Sequence, residues 1–203
     1  MEERLAEWLA LIDGPGWRGE RDRVVREIQH VGVEAVFPLL AAKLANPDAD
    51  VRCRAVTALL FVDASRAMPL VLPMLGDPDS TVRWHTTGCL HDFVDGRAIA
   101  PLIGVLRGDP DAGVRTTAAY ALGGIASPAA IPALLAALDS DHEEDPLGHT
   151  ASSCAATALD EILGTNETRL RVTESLRRLG TWPPDLDRLR RLATELYREW
   201  SGK

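Results

Sequence analysis

Between residues 36 and 138 the chain alternates two kinds of apolar segment. The first kind is almost wholly apolar and carries a proline: VFPLLAAKL (36–44), AMPLVLPML (67–75), AIAPLIGVL (98–106) and AIPALLAAL (130–138). Pro38, Pro69, Pro101 and Pro132 follow one another at intervals of 31, 32 and 31 residues. The second kind is amphipathic. Val51, Ala55, Leu59 and Val62 match Val82, Thr86, Leu90 and Phe93, then Val114, Ala118, Leu122 and Ile125, then Ala151, Ala155, Leu159 and Ile162. Steps of 4, 4 and 3 keep all four positions on one side of a 3.6-residue helix. A fixed period of about 31 residues, with two helices in each, predicts a stack of helix pairs that bury their stripes against one another.

The link between the two helices is as regular as the helices. NPDAD (46–50), DPDST (77–81) and DPDAG (109–113) are turns, and each is followed by Val-Arg: Val51-Arg52, Val82-Arg83 and Val114-Arg115. Asp48, Asp79 and Asp111 stand where a carboxylate can accept the first amides of the second helix. Each also lies four residues before the arginine, so the spacing predicts an Asp–Arg pair within each helix start rather than a row of free arginines. SDHEEDPLGH (140–149) lengthens the last turn, and the fourth copy starts 37 residues after the third. The prolines, regular and without chemistry of their own, are expected to bend the first helix of each pair. Gly123-Gly124 reads as a helix cap.

Two helices per repeat, a proline in the first, a D-P-D turn and a V-R start to the second together resemble the HEAT repeat, and most nearly the short HEAT-like repeats named after the phycobilisome lyases. The resemblance covers about 33–163 strongly. It implies an all-α fold, an α-α superhelix or solenoid of about six helix pairs forming one domain over 1–203. In it 33–163 are core repeats, 1–32 an N-terminal capping pair (helices over 2–12 and 20–31) and 164–203 a C-terminal capping pair (165–180 and 183–200). End repeats turn one face to water, which suits the many charges there.

Composition narrows the function. With 46% apolar and 26% charged residues the chain can build a core, and only 5% aromatic residues suits close helix packing over strands. The acidic start MEERLAEWLALID is unlike a secretory signal, and no uninterrupted apolar run nears the roughly 20 residues that span a bilayer, so a cytoplasmic protein without a membrane partner is expected. The net charge of −8 is uneven: −2 over residues 1–31, −9 over 32–165 and +3 over 166–203. An acidic body disfavours nucleic acid, whose phosphates call for lysine and arginine. Cys53, Cys89 and Cys154 are too far apart for a metal clip or a disulfide framework, and the sequence shows no cysteine paired locally with histidine. Asp141, His142, Glu143, Glu144, Asp145 and His149 could in principle ligate a cation, but such loops are usually solvated surface. No metal, no cofactor and no catalytic residue is assigned; P-loop, nucleophile-elbow and dinucleotide motifs are missing from the sequence.

The copy beginning at Val82 departs from its neighbours. Where they place Cys53, Arg54, Leu60 and Phe61, or Thr116, Thr117, Gly123 and Gly124, it places Trp84, His85, His91 and Asp92. These positions lie off the buried stripe. Trp84 and His91 are seven residues apart, as are His85 and Asp92, so each pair projects from nearly one side of the helix. In a HEAT-like solenoid the second helices line the concave face, which would bring this cluster near Tyr120 of the next repeat. Trp84, His85, His91, Asp92 and Tyr120 are therefore the expected partner-binding residues, and the expected function is a non-catalytic, monomeric scaffold for a protein or peptide. Resemblance to bilin lyase repeats implies an alternative, a tetrapyrrole held by Asp92, Trp84 and Tyr120 for attachment to a client protein. Resemblance to HEAT-like alkylpurine glycosylases implies a DNA cradle, but Arg66, Arg97 and Arg107 fall on or near the first helices instead of forming a row on the second.

Overall fold

The computed structural model describes residues 2–14, 17–164 and 186–202. Helices make up nearly all of them, and the one pairing of extended backbone among the described residues is an isolated bridge between Glu144 and Thr150. The chain is all-α, as its periodicity predicts. It forms two compact units, Met1–Cys89 and Leu90–Lys203.

The first unit holds α1 (Glu2–Asp13), α2 (Trp17–Val31), α3 (Val33–Ala42), α4 (Ala49–Val71) and most of α5 (Ser80–Asp92). α1 and α2 are the pair expected at the N-terminus. Trp8, Ile12, Val24 and Ile28 are fully buried there, and the Trp8 indole donates to Glu27 at 3.0 Å, which satisfies its one polar atom. Gly32, at φ 129°, turns the chain from α2 into α3 through a conformation that a side chain would resist. α4 is two helices in succession. Asp63 breaks them with extended backbone, and its carboxylate accepts the Arg66 amide at 3.1 Å, capping the second. The stretch Ala49–Gly76 has the length and hydropathy of a membrane span, but 56% of its most apolar window is buried within the protein and Asp63 interrupts it.

The second unit continues with α6 (Ile99–Gly108), α7 (Ala112–Ile125), α8 (Ile131–Ser140), α9 (Ala151–Leu163) and α10 (Leu186–Ser201). α10 matches the last expected helix; the one expected over 165–180 lies outside the described residues. α6 and α8 each begin with a 3-10 turn, capped by Asp95 (Arg97 amide, 2.8 Å) and by Ser127 (Ala129 amide, 3.4 Å). This changes the reading of two prolines. Pro38 and Pro69 stand inside their helices. Pro101 and Pro132 stand in the first turn of α6 and α8, where the 3-10 turn gives way to α-helix and a missing amide forgoes no helical bond.

The stripes are the core. Val51, Ala55, Leu59 and Val62 are buried, as are Val82, Thr86 and Leu90, Val114, Ala118 and Leu122, and Ala151, Ala155 and Leu159. The last position of the later copies, Phe93, Ile125 or Ile162, is only half-buried at its helix end. Thr86 stands where the other copies have alanine. Its hydroxyl is fully buried and is one of the few described buried side-chain groups with no hydrogen-bond partner.

Candidate functional site

Arg52 and Arg115 do not pair within their own helix starts. Asp48, Asp79 and Asp111 spend their carboxylates on the backbone, accepting the amides of Asp50 (2.8 Å), Thr81 (2.8 Å) and Val114 (3.1 Å). Those bonds hold the Asp79 carboxyl below the usual carboxylate range, the Thr81 amide first. Arg52 instead reaches one repeat forward. Its Nε and Nη2 donate to both oxygens of Asp77, each at 2.8 Å, while Nη1 donates to the carbonyls of Asn46 and Pro47 at 2.8 and 3.0 Å. Arg115 does the same in the second unit, to Asp141 at 2.6 and 3.1 Å, to Glu143 at 2.7 Å and to the carbonyls of Asp109 and Pro110. Pairing with Asp77 or Asp141 raises each guanidinium's pKa. Arg52 and Arg115 thus form inter-repeat clasps, and for them the i,i+4 reading fails because the capping carboxylate is spent on backbone amides.

The acidic turn is drawn into the same clasp. Asp141 and Glu143 are held by Arg115, and Asp145 accepts the amides of Leu147 and His149 at 2.8 and 2.9 Å. Among the described residues no group of three or more His, Cys, Asp or Glu is placed to hold a metal. Beside the turn, α6 and α8 border a cleft of about 480 Å³ whose wall includes Arg107, Ser140 and His142.

The residues singled out on α5 divide into three environments. Trp84 is exposed over 50% of its surface although its helix neighbours Val82 and Thr86 are fully buried. His85 is not a solvated side chain. Its Nε2 lies 2.8 Å from the Thr57 hydroxyl of α4 and 3.5 Å from the Cys89 sulfur one turn along α5. Cys89 and His85 are thus a local cysteine–histidine pair, contrary to the expectation that the chain has none, and their i,i+4 spacing is its sign in the sequence.

His91 and Asp92 belong to the second unit. The His91 ring stacks on Tyr120 of α7 with centroids 4.2 Å apart and planes 10° apart, while its Nδ1 lies 3.0 Å from the Asp92 carboxylate. Asp92 therefore bonds its chain neighbour, and His85 bonds Thr57. Tyr120 remains 46% exposed.

Gly123 and Gly124 make this arrangement possible and do not cap the helix. A Cβ on Gly124 would stand 2.6 Å from the His91 ring, and one on Gly123 would stand 2.8 Å from the Ala158 backbone of α9. The left-handed residue that ends α7 is Ala126, at φ 53°. The two glycines thus permit a close helix contact and a ring seat, side by side.

The burial of the cysteines also differs. Burial pushes the Cys53 thiol up to about 11, and burial raises Cys154 as well.

Comparison with known proteins agrees with this architecture. The family model for HEAT repeats matches residues 7–90 and 68–154. No curated protein sequence matches the chain. Among solved structures, an engineered protein determined by crystallography at the Northeast Structural Genomics Consortium is similar, with 19% identity and a TM-score of 0.53, over 96% of this chain and 89% of that one. At that identity the likeness speaks for the fold alone. Overlapping matches that reach from residue 7 to residue 154, on a chain whose stripes and turns repeat as described, show that this protein belongs to the HEAT repeat family.

Proposed function

We propose that the chain is a non-catalytic scaffold that binds a protein or peptide through aromatic side chains displayed on the second helices of its repeats. HEAT repeats generally mediate protein–protein interaction, which is the starting point. The observation that carries the reading further is the pair of large aromatics left in water on otherwise well-buried helices, Trp84 at 50% and Tyr120 at 46% exposure. An exposed aromatic offers a partner a large apolar area together with a polar handle, and such residues dominate the energetics of many interfaces. Tyr120 is also held in place by the His91 ring, so less side-chain freedom is lost when a partner arrives. His85, His91 and Asp92 support or flank these anchors. The same proposal has the protein cytoplasmic and monomeric.

The test treats each anchor separately. Partners captured by in-cell crosslinking of the wild type are confirmed with purified proteins, and affinities are then measured for Trp84→Ala, Tyr120→Ala and a control, Leu147→Ala, in the exposed turn. Each anchor variant is expected to lose about 1 to 2 kcal/mol of binding or more, while stability stays within about 1 kcal/mol. A partner that binds the wild type and both anchor variants equally sinks this reading.

A further inference from the structure

We infer that Cys89 is a reactive thiol that exchanges with small disulfides of the glutathione type, assisted by His85 and Thr57. Nothing in the scaffold role requires Cys89 or Thr57. The cluster lies wholly in the first unit, between α4 and α5. The Thr57 hydroxyl lies 2.8 Å from Nε2 of His85 and 3.3 Å from the Cys53 carbonyl, to which it can also donate. The Cys89 sulfur is 3.5 Å from that same Nε2 and 3.8 Å from the Thr57 oxygen.

Two groups able to donate a hydrogen are thus within reach of one sulfur. When Cys89 gives up its proton, to water or to the imidazole, a hydrogen on Nε2 and the Thr57 hydroxyl can turn to the thiolate. Hydrogen bonds to the charged form favour that form, and the thiolate is the nucleophile. The thiolate attacks one sulfur of a disulfide R–S–S–R. A Cys89–S–S–R bond forms, the original S–S bond breaks, and R–S⁻ departs to take a proton from water. The step is a redox-neutral exchange and needs no other reactant.

The other cysteines have no such setting. Cys53 is buried and stays protonated near neutrality, so it places no charge beside Cys89. Cys154 is partly accessible, but its thiol is raised by burial and the Ser153 side chain is the hydrogen-bonding group beside it. The chain therefore carries its own internal controls. Cys89 itself is partly accessible, which a small disulfide requires.

The experiment incubates the folded full-length protein with excess glutathione disulfide and follows the three sites by peptide mass spectrometry. Cys89 is expected to react at least about tenfold faster than Cys53 and Cys154 at pH 7, with a pH–rate midpoint below the ordinary thiol value of about 8.5. His85→Ala is expected to move that midpoint upward, a change that loss of packing alone would not produce in this direction. Thr57→Val, read the same way, gives a second measure should His85→Ala fold poorly. The proposal is overturned if Cys89 in the wild type reacts no faster than Cys154, or if its midpoint is that of a free thiol.

Discussion

Removing the Arg52 guanidinium is the sharpest test of how successive repeats are held together. Arg52 and Asp77 meet with side chains only 11% and 5% exposed, and the arginine also covers two turn carbonyls. Deleting one partner of a buried pair costs about 3–5 kcal/mol because the other charge is left without compensation. Asp77 keeps one bond here, from the Asp79 amide at 2.9 Å, so Arg52→Ala should cost about 2–4 kcal/mol. Arg66 provides the contrast. Its pair with Glu34 has side chains 42% and 85% exposed, and Arg66→Ala should cost at most about 1 kcal/mol.

Denaturant unfolding, read at constant slope, gives both values. Double-mutant cycles then decide the connectivity. Arg52 and Asp77 should show a coupling of about 1.5–3 kcal/mol, whereas Arg52 and Asp48, the pair suggested by i,i+4 spacing, should be additive within about 0.5 kcal/mol. A coupling to Asp48 as large as that to Asp77 would refute the clasp.

Three further outcomes follow from buried details. Thr86→Val, which keeps the shape and removes a buried hydroxyl that has no partner, should raise stability by about 1 kcal/mol in thermal or chemical unfolding; a loss of that size would show that the hydroxyl is satisfied. Gly124→Ala should be tolerated, because the His91 ring can swing aside and alanine favours the helix by about 1 kcal/mol, while Gly123→Ala meets the Ala158 backbone and should be at least about 1 kcal/mol less stable than its neighbour variant. The Cys53 thiol is held at about 11, above its unfolded value, so its contribution is full below the unfolded pKa and is lost as pH rises through the folded one. Stability of the wild type should therefore fall between about pH 9 and 11 by about 2 kcal/mol more than that of Cys53→Ala, and parallel curves would count against a buried thiol.

How much of this was readable beforehand depends on the range of the interaction. The stripe from Val51 to Ile162 was legible because a helix with a fixed period can bury only one side, and burial is what the apolar spacing records. The caps Asp48, Asp79 and Asp111 were legible because a cap acts within three residues of itself. The partner of Arg52 was not, since Asp48, the acid four residues before it, is already engaged and the true partner lies 25 residues on. It could have been found by comparing copies: the aspartate that opens the next turn recurs as Asp77 and Asp109, and Asp141 takes that place in the lengthened turn.

The α5 cluster shows the same limit in sharper form. Its membership was visible as a departure from the repeat, but a departure does not say which way a side chain is used. His85 turned inward because Thr57, 28 residues back, offers it an oxygen, and His91 found a seat because Gly124 leaves one empty of Cβ. Both partners are small residues that carry no signal of their own in a chain rich in Ala, Gly and Thr. What the repeat did not need for packing was therefore sorted by its neighbours into two uses. His85 and His91 went to polar and ring contacts within the fold, and Trp84 and Tyr120 were left with aromatic surface in water, where a partner can reach it.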